Sequence, residues 1–363
     1  MKLFPTSANL PFRVLLGSAA ALGLLSCDPS NDPEPTETPV VTRSVFVVNE
    51  GNFRRANADI SLFNKASSSV TSPTLFSTAN GRALGDVAQS MAVQDSLGYI
   101  VVNNSNKLEV VSMAKFKSKA TISNLQLPRY FVAVSSDKGY ITETVAYGGA
   151  GQVSVVNLKT NQVTRTIAVG AQPERMTVSG NRLYVTNSGE SSVTVINTTT
   201  DAIEGTVPVG DSPGSAVTDR NGNVWVLSGG KVVYNADYTA IDYTKTTKGS
   251  LSVIVPGQLT AQTRQVDSNT SSPGDLTING PKDQLYYTYR GGVYTVGINE
   301  AQLPTTPLIR RSFYGLGVDP QDNTIYGGIG SFTAADKVIR YRSTGAALDS
   351  FTVGIGPSSF VFY

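Results

Sequence analysis

The sequence predicts an all-β protein, a seven-bladed β-propeller whose ring is closed by pairing of the N- and C-terminal strands in one blade. Three observations predict it. From about Ser44 to Tyr363 a unit of roughly 40 residues recurs, the period of a blade built from four short strands. An aromatic residue returns in the second strand of every unit, at Phe46, Tyr99, Tyr140, Tyr184, Trp225, Tyr286 and Tyr326. The ends complement one another: SVFVVNEGN, starting at Ser44, is a second strand with no first strand before it, and GPSSFVFY, ending at Tyr363, is a first strand with nothing after it. A β-solenoid or a sandwich would also repeat, but neither accounts for one missing and one surplus strand. Joining them removes the free edges of an open array.

The clearest unit runs from Glu174 to Gly210. Its segments MTV, RLYVTN, SVTVINTTT and AIEGTVPVG are rich in Val, Ile, Thr and Tyr, and Ser-Gly-Asn, Ser-Gly-Glu and Thr-Asp steps break them into four strands and three tight turns. The innermost strands read SMAV from Ser90, YFVAV from Tyr130, RMTV from Arg175, SAVT from Ser215, DLTI from Asp275, GLGV from Gly315 and SSFVFY from Ser358. Two gaps between the aromatics are long. They place insertions around Asn52 to Asp86, in the first blade and its exit loop, and around Tyr238 to Pro273 in the fifth.

Ahead of the repeat, Lys2 and Arg13 precede an uncharged stretch from Val14 to Leu25, the pattern of a secretory signal over residues 1–26. A bilayer-spanning helix needs roughly 20 apolar residues, so this stretch is too short to be one. It ends in Leu24-Leu25-Ser26-Cys27, which resembles the bacterial lipobox, where the signal is cut before a cysteine that is then lipidated. Cys27 is the only cysteine of the chain, so it has no disulfide partner within it. An ordinary signal peptide with an incidental cysteine is the other reading. Residues 27–43 then form an acidic, Pro-rich tether, with Pro29, Pro33, Pro35 and Pro39 among Asp28, Asp32, Glu34 and Glu37, a composition suited to an extended, solvated spacer. The propeller follows over 44–363. Acidic residues directly after the cysteine resemble the surface-export signal of some Gram-negative lipoproteins; elsewhere, an Asp there signals retention at the inner membrane.

Composition excludes several chemistries. The chain carries 29 Lys and Arg against 27 Asp and Glu, and loss of residues 1–26 removes two basic residues and no acid, leaving no excess of either sign. No basic face is advertised for nucleic acid. Histidine is absent, which rules out Ser-His-Asp and Cys-His catalysis, His-ligated haem and most zinc sites. No nucleophile elbow, Walker loop or catalytic carboxylate pair is identifiable, so no catalytic residue, cofactor or metal is assigned. Asp319, Asp322 and Asn323, and likewise Asp219, Asn221 and Asn223, carry oxygen ligands of the kind calcium takes, but Asp-x-Asn-Gly is also the ordinary hairpin turn between blade strands.

In a propeller the loops joining strand two to three, and strand four to the next strand one, lie on the same face around the central funnel. The first set offers Asn49, Glu50, Asn52, Phe53, Asn103, Asn104, Asn106, Glu143, Tyr147, Asn187, Ser188, Ser228, Tyr289 and Arg290. The second adds Arg82, Asp86, Gln89, Arg129, Tyr130, Glu174, Arg175, Asp275 and Tyr314. Amides both donate and accept hydrogen bonds, and aromatic faces supply contact area at little entropic cost, a mixture suited to a neutral polar ligand with a large flat part. Against this, Asn and Ser after a strand commonly cap their own turns. Arg129-Tyr130 and Glu174-Arg175 enter successive innermost strands at equivalent places, which sets a guanidinium beside a carboxylate, as a ligand site or as a structural ion pair between blades. Tyr234, Tyr238 and Tyr243 suit an aromatic lid, or a cover for a strand edge.

The units PxxMTVxxNRLYVTNSGxxSVTVINTTT and VVNLKTNQVTRTIAVGAQPERM resemble the YVTN-type repeats of the YncE-like propellers over nearly the whole mature chain. A narrower likeness lies in VVNEGNF at Val47, NGRALGDVAQSM at Asn80, YIVVNNSNKLEVV at Tyr99, LPRYF at Leu127, QPERM at Gln172 and NVWVLSGG at Asn223. These resemble surface lipoprotein propellers of Gram-negative bacteria that include corrinoid-binding proteins seated on a TonB-dependent transporter. The resemblance implies a binding role: an outer-membrane protein, lipid-anchored through Cys27 and facing the cell surface or the periplasm, that captures a corrinoid and works with such a transporter. A structural or adhesive propeller binding an envelope protein or glycan is the second expectation, and a lyase- or lactonase-like enzyme the third.

Overall fold

The computed structural model describes residues 43–363; the signal segment, Cys27 and the tether up to residue 42 lie outside the described residues. Seven small antiparallel sheets follow one another along the chain. Each starts with an innermost strand and runs outward. We number the blades from the one that holds both termini. In blade one, Pro357–Phe362 pairs with Ser44–Asn49, which pairs in turn with Asp59–Asn64 and then Ser69–Ser72. The register Val45↔Phe362, Phe46↔Val361 and Val47↔Phe360 closes the ring as the two incomplete ends foretell.

Second strands are buried on both faces, so they read as unbroken apolar runs: every residue of Ser44–Asn49 and of Val224–Ser228 is buried. Fourth strands lie on the outside and show it, as in Gln162–Ala171, where the first five residues are exposed. Seven apolar cores result, one at each junction between blades. The repeated aromatic belongs in every case to the core shared with the following blade: Phe46 packs with Ile100 of blade two, Tyr99 with Phe131 of blade three, Tyr140 with Leu183 of blade four and Tyr184 with Val226 of blade five. Trp225, Tyr286 and Tyr326 continue the series, the last with Val45 and Val47 of blade one. All seven aromatics are at most 4 % exposed. Full burial of such a side chain stabilises by about 2–3 kcal/mol, and the contact repeats at every junction.

Two expectations need correction. The fifth-blade insertion lies at residues 229–249, because Ser250–Ile254 and Ala261–Gln265 of the expected stretch are ordinary third and fourth strands. The segment Asn52 to Asp86 likewise holds two strands of blade one, its added element being a short helix, Leu75–Asn80. Both additions sit on the face of the strand two-to-three and blade-to-blade loops. Blade six departs from the four-strand unit, having only Gly274–Ile278, Gln284–Tyr289 and Gly292–Gly297. Its fourth strand is replaced by the run to Phe313, where Pro304 and Pro307 lack the N–H a ladder needs; a single bridge, Val293↔Ile309, remains.

Ending the chain at Gly356 strips the inner strand from blade one and exposes the cores on either side of it. The truncated protein is expected to lose the cooperative thermal transition of the full chain in circular dichroism; an unchanged midpoint would refute closure by the terminal strands.

Candidate functional site

Five inner strands start on, or directly after, a buried proline: Pro128, Pro173, Pro213, Pro273 and Pro357. Gly151 and Gly249, each at the head of a third strand in the preceding blade, make room for two of these rings; a Cβ on Gly151 would collide with Pro173, and one on Gly249 with Pro273. Directly after the proline the pairing slips. A register shift opens the inner strand in six of the seven blades, leaving unpaired Gln89 in blade two, Arg129-Tyr130 in three, Glu174-Arg175 in four, Gly214 in five, Asp275-Leu276 in six and Ser358 in one. A bulge of this kind re-aims side chains and is common beside binding sites. Threonines of the second strands hold two of them: Thr142 Oγ1 accepts from the Tyr130 N–H at 3.0 Å, and Thr186 Oγ1 donates to the Arg175 carbonyl at 3.0 Å. Val87, Leu127, Gln172 and Ser212, each just before an inner strand, are in the left-handed region with φ of 48° to 60°. Such strain concentrates at functional surfaces.

The bulges set a ring of polar groups around the mouth of the central channel. Arg129 grips Glu174 with Nε at 3.0 Å and Nη2 at 2.9 Å, and its Nη1 donates to Gln89 Oε1. This is the inter-blade pair expected from the equivalent positions of the two residues. Arg175, one residue on, stacks its guanidinium 4.8 Å above the Tyr130 ring and reaches toward Asp275 of blade six, Nη2 to Oδ1 3.6 Å. The Tyr314 hydroxyl donates to Glu50, and its ring meets Phe332 edge-on at 5.0 Å. Burial pushes the carboxyls of Glu174 and Glu50 up, against the pull of Arg129 on both and of the Tyr314 hydrogen bond on Glu50. The Asp275 carboxyl is pushed up to about 6, again by burial, which the Arg175 charge only partly offsets.

Below this ring the channel opens into a cavity of about 250 Å³, lined by Ser90, Tyr130, Arg175, Met176, Leu276 and Phe360 among others. A neighbouring space of about 300 Å³ shares Arg175 and Phe360 and continues past Leu316 and Phe362. Around the mouth stand the exposed aromatics. Among the described residues six Phe and Tyr side chains are exposed, Phe53, Tyr147, Tyr234, Tyr238, Tyr243 and Tyr314, and all six belong to loops of the funnel face. Tyr234 and Tyr238 lie 6.3 Å apart in the blade-five insertion.

The remaining predicted residues hold the loops together. Asn49 donates to Ser61 Oγ at 2.9 Å, Asn187 to Ser192 and Thr194, and Asn103 to the Pro128 carbonyl at 2.9 Å. Asn104 donates to Asp86, whose carboxylate also takes the Arg54 N–H, and Asn106 accepts from the Leu127 N–H. Glu143 accepts from Ser154 and the Gln126 N–H; Ser228 is fully buried; Ser188 donates to the Gln172 carbonyl. Asn52 bridges to the Phe332 carbonyl at 2.7 Å. Arg82 pairs with Glu109 and stacks over Phe76, away from the polar ring, while Tyr289 and Arg290 both engage Asp267 in blade six. Phe332, Met176 and Phe360 join the candidate site without being among the residues its loops predict. The positions following the recurrent proline were the available signal for the ring itself. The two Asp-rich steps are turns: Asp219 accepts from the N–H groups of Asn221 and Asn223 and from Trp225 Nε1, and Asp319 from Gln321 N and Lys65. Among the described residues no three carboxylates converge as metal ligands would.

Arg129→Ala leaves Glu174 unpaired in a largely buried place and is expected to lower stability by about 2–3 kcal/mol in denaturant unfolding; restoration by the further change Glu174→Gln identifies the stranded charge as the cause, and no loss in the single variant would contradict it. Asp275 binds its proton more tightly folded than unfolded, so its contribution to stability is complete below pH 4 and falls as pH rises through about 6. Relative to Asp275→Asn, the native chain should therefore lose on the order of 2 kcal/mol between pH 4 and pH 7; parallel stability curves would contradict this.

A search of curated proteins finds no match. Solved structures share the fold at low identity. A quinoprotein alcohol dehydrogenase-like protein of Bacteroides thetaiotaomicron matches with a TM-score of 0.66 and 12 % identity over 90 % of this chain and 79 % of that one. A candidate 6-phosphogluconolactonase of Bacteroides fragilis gives 0.63 and 13 % over 92 % and 100 %, and a functionally unknown protein of Desulfotomaculum acetoxidans 0.65 and 10 % over 88 % and 98 %. At such identities the likeness is one of fold. Over residues 43–353 the sequence matches the family model described as Domain of unknown function (DUF5074), and the chain belongs to that family of β-propellers.

Proposed function

We propose that the protein is a cell-envelope lipoprotein, anchored through Cys27, that captures a ligand on the funnel face of its propeller. One observation carries the binding half of this reading: among the described residues all six exposed aromatic side chains stand on the face where the polar ring and the channel open. Water-facing aromatics gathered on one face mark recognition surfaces, and a cavity of a few hundred Å³ beneath them suits a small molecule with part of its surface left at the rim. Those rings can lie against a flat ligand while Arg129, Arg175, Asp275 and Gln89 meet its polar edge. A corrinoid fits that description, and the resemblance of the LPRYF, QPERM and VVNEGNF segments to surface lipoprotein propellers favours it. A TonB-dependent transporter is then the partner that would receive the ligand. The anchor rests on the signal-like segment and the single cysteine that ends it.

Titration of the full chain with cyanocobalamin, followed by absorbance, tests the ligand. Saturable binding is expected, weakened roughly threefold to tenfold by Phe53→Ala, Tyr147→Ala or Tyr238→Ala and unchanged by Leu348→Ser on the outer strand of blade seven. No binding at micromolar concentration would remove the corrinoid. For the anchor, Cys27→Ser should abolish metabolic labelling with palmitate and release the protein from membranes; labelling that survives would refute it.

A further inference from the structure

Two ion pairs cross the funnel at neighbouring positions, and they differ. Arg129 and Glu174 close at 2.9–3.2 Å with several hydrogen bonds. Arg175 and Asp275 stop at 3.6 Å, beyond hydrogen-bond distance. Among the described residues neither the Arg175 guanidinium nor the Asp275 carboxylate makes a hydrogen bond to any other group, although both are about three-quarters buried. Both groups therefore keep donors and acceptors free of protein partners at a partly desolvated place, where a ligand group can pair with them.

The fold keeps the pair open. Arg175 is drawn toward blade three by stacking on Tyr130, and Asp275 is fixed on blade six. The blade between them in the ring, blade five, presents Gly214 and Ser215, its smallest choice at these positions. A Cβ added at Gly214 would meet open space. The pair thus offers donors beside acceptors at the channel mouth, with Arg175 also lining the cavity below.

We propose that this pair is the polar anchor for a primary carboxamide, whose oxygen accepts from the Arg175 guanidinium while its N–H donates to the Asp275 carboxylate. The inference rests on the funnel being a binding site and names the chemistry of its ligand. A simple anion placed against Arg175 would meet the Asp275 charge, and a simple cation at Asp275 would meet Arg175. A carboxamide carries an acceptor and a donor side by side and no net charge, so it satisfies both groups at once. Sites that read a donor and an acceptor together reject analogues lacking either.

Benzamide, benzoate and benzamidinium have the same shape and differ only at this group. In saturation-transfer NMR with the full chain at pH 7.5, benzamide should bind about tenfold tighter than either charged analogue. Asp275→Asn should shift the preference to benzoate and Arg175→Gln to benzamidinium, a change of selectivity that general loss of structure cannot produce; thermal unfolding of each variant accompanies the titrations. Equal binding of the three, preference of the native chain for a charged analogue, no benzamide signal, or variants that keep the native preference would each overturn the assignment. Cyanocobalamin binding that persists in both variants would remove the anchor and leave the ligand reading standing. A benzamide preference with no cyanocobalamin binding would do the reverse.

Discussion

The packing of each second-strand aromatic on the next blade is the contact on which the rest of the structure depends. A four-stranded blade of this length has two apolar faces and cannot bury either alone. Phe46, Tyr99, Tyr140, Tyr184, Trp225, Tyr286 and Tyr326 give each face a partner, and because Tyr326 packs on Val45 and Val47 the series returns to its start. Closure by Pro357–Phe362 is what lets this happen without leaving a bare edge. The ring in turn fixes seven inner strands at one depth.

The polar ring sits where that regularity is broken. The bulges after Pro128, Pro173, Pro213 and Pro273 use unpaired residues to turn Arg129, Tyr130, Glu174, Arg175 and Asp275 toward the channel, while the frame beneath them stays the same. One frame therefore carries different chemistry at each position: an ion pair closed between blades three and four, an open one between four and six, and small residues at blade five between them. The insertion at 229–249 and the helix Leu75–Asn80 add surface on this same face.

Fold and site were not equally legible in the sequence. The apolar second strands, the period and the complementary ends were visible because they are local or terminal features, and they led to the blade order and the closing strand. Blade six hid its missing strand, although Pro304 and Pro307 in PTTPLIRR were signals against a ladder. The insertion in blade five was placed too far along, since Ser250–Ile254 and Ala261–Gln265 are weakly apolar strands that read as loop. Among candidate site residues, the pairing of Arg129 with Glu174 was readable from equivalent positions. The fate of Asn49, Asn187 and Glu143 was not, because an amide or a carboxylate at a strand end looks alike whether it faces a ligand or a neighbour's hydroxyl. The bulges were invisible, since a register shift belongs to two strands at once.

In this reading, recognition occurs on one face of the propeller only. Hydrogen exchange of the full chain with and without cyanocobalamin tests it most directly. Slowed exchange is expected in the loops at 50–58, 144–149 and 229–249 and at the heads of the inner strands, and none in the opposite-face hairpins such as Asp219 to Asn223. Protection on that opposite face, or a uniform response around the ring, would contradict it.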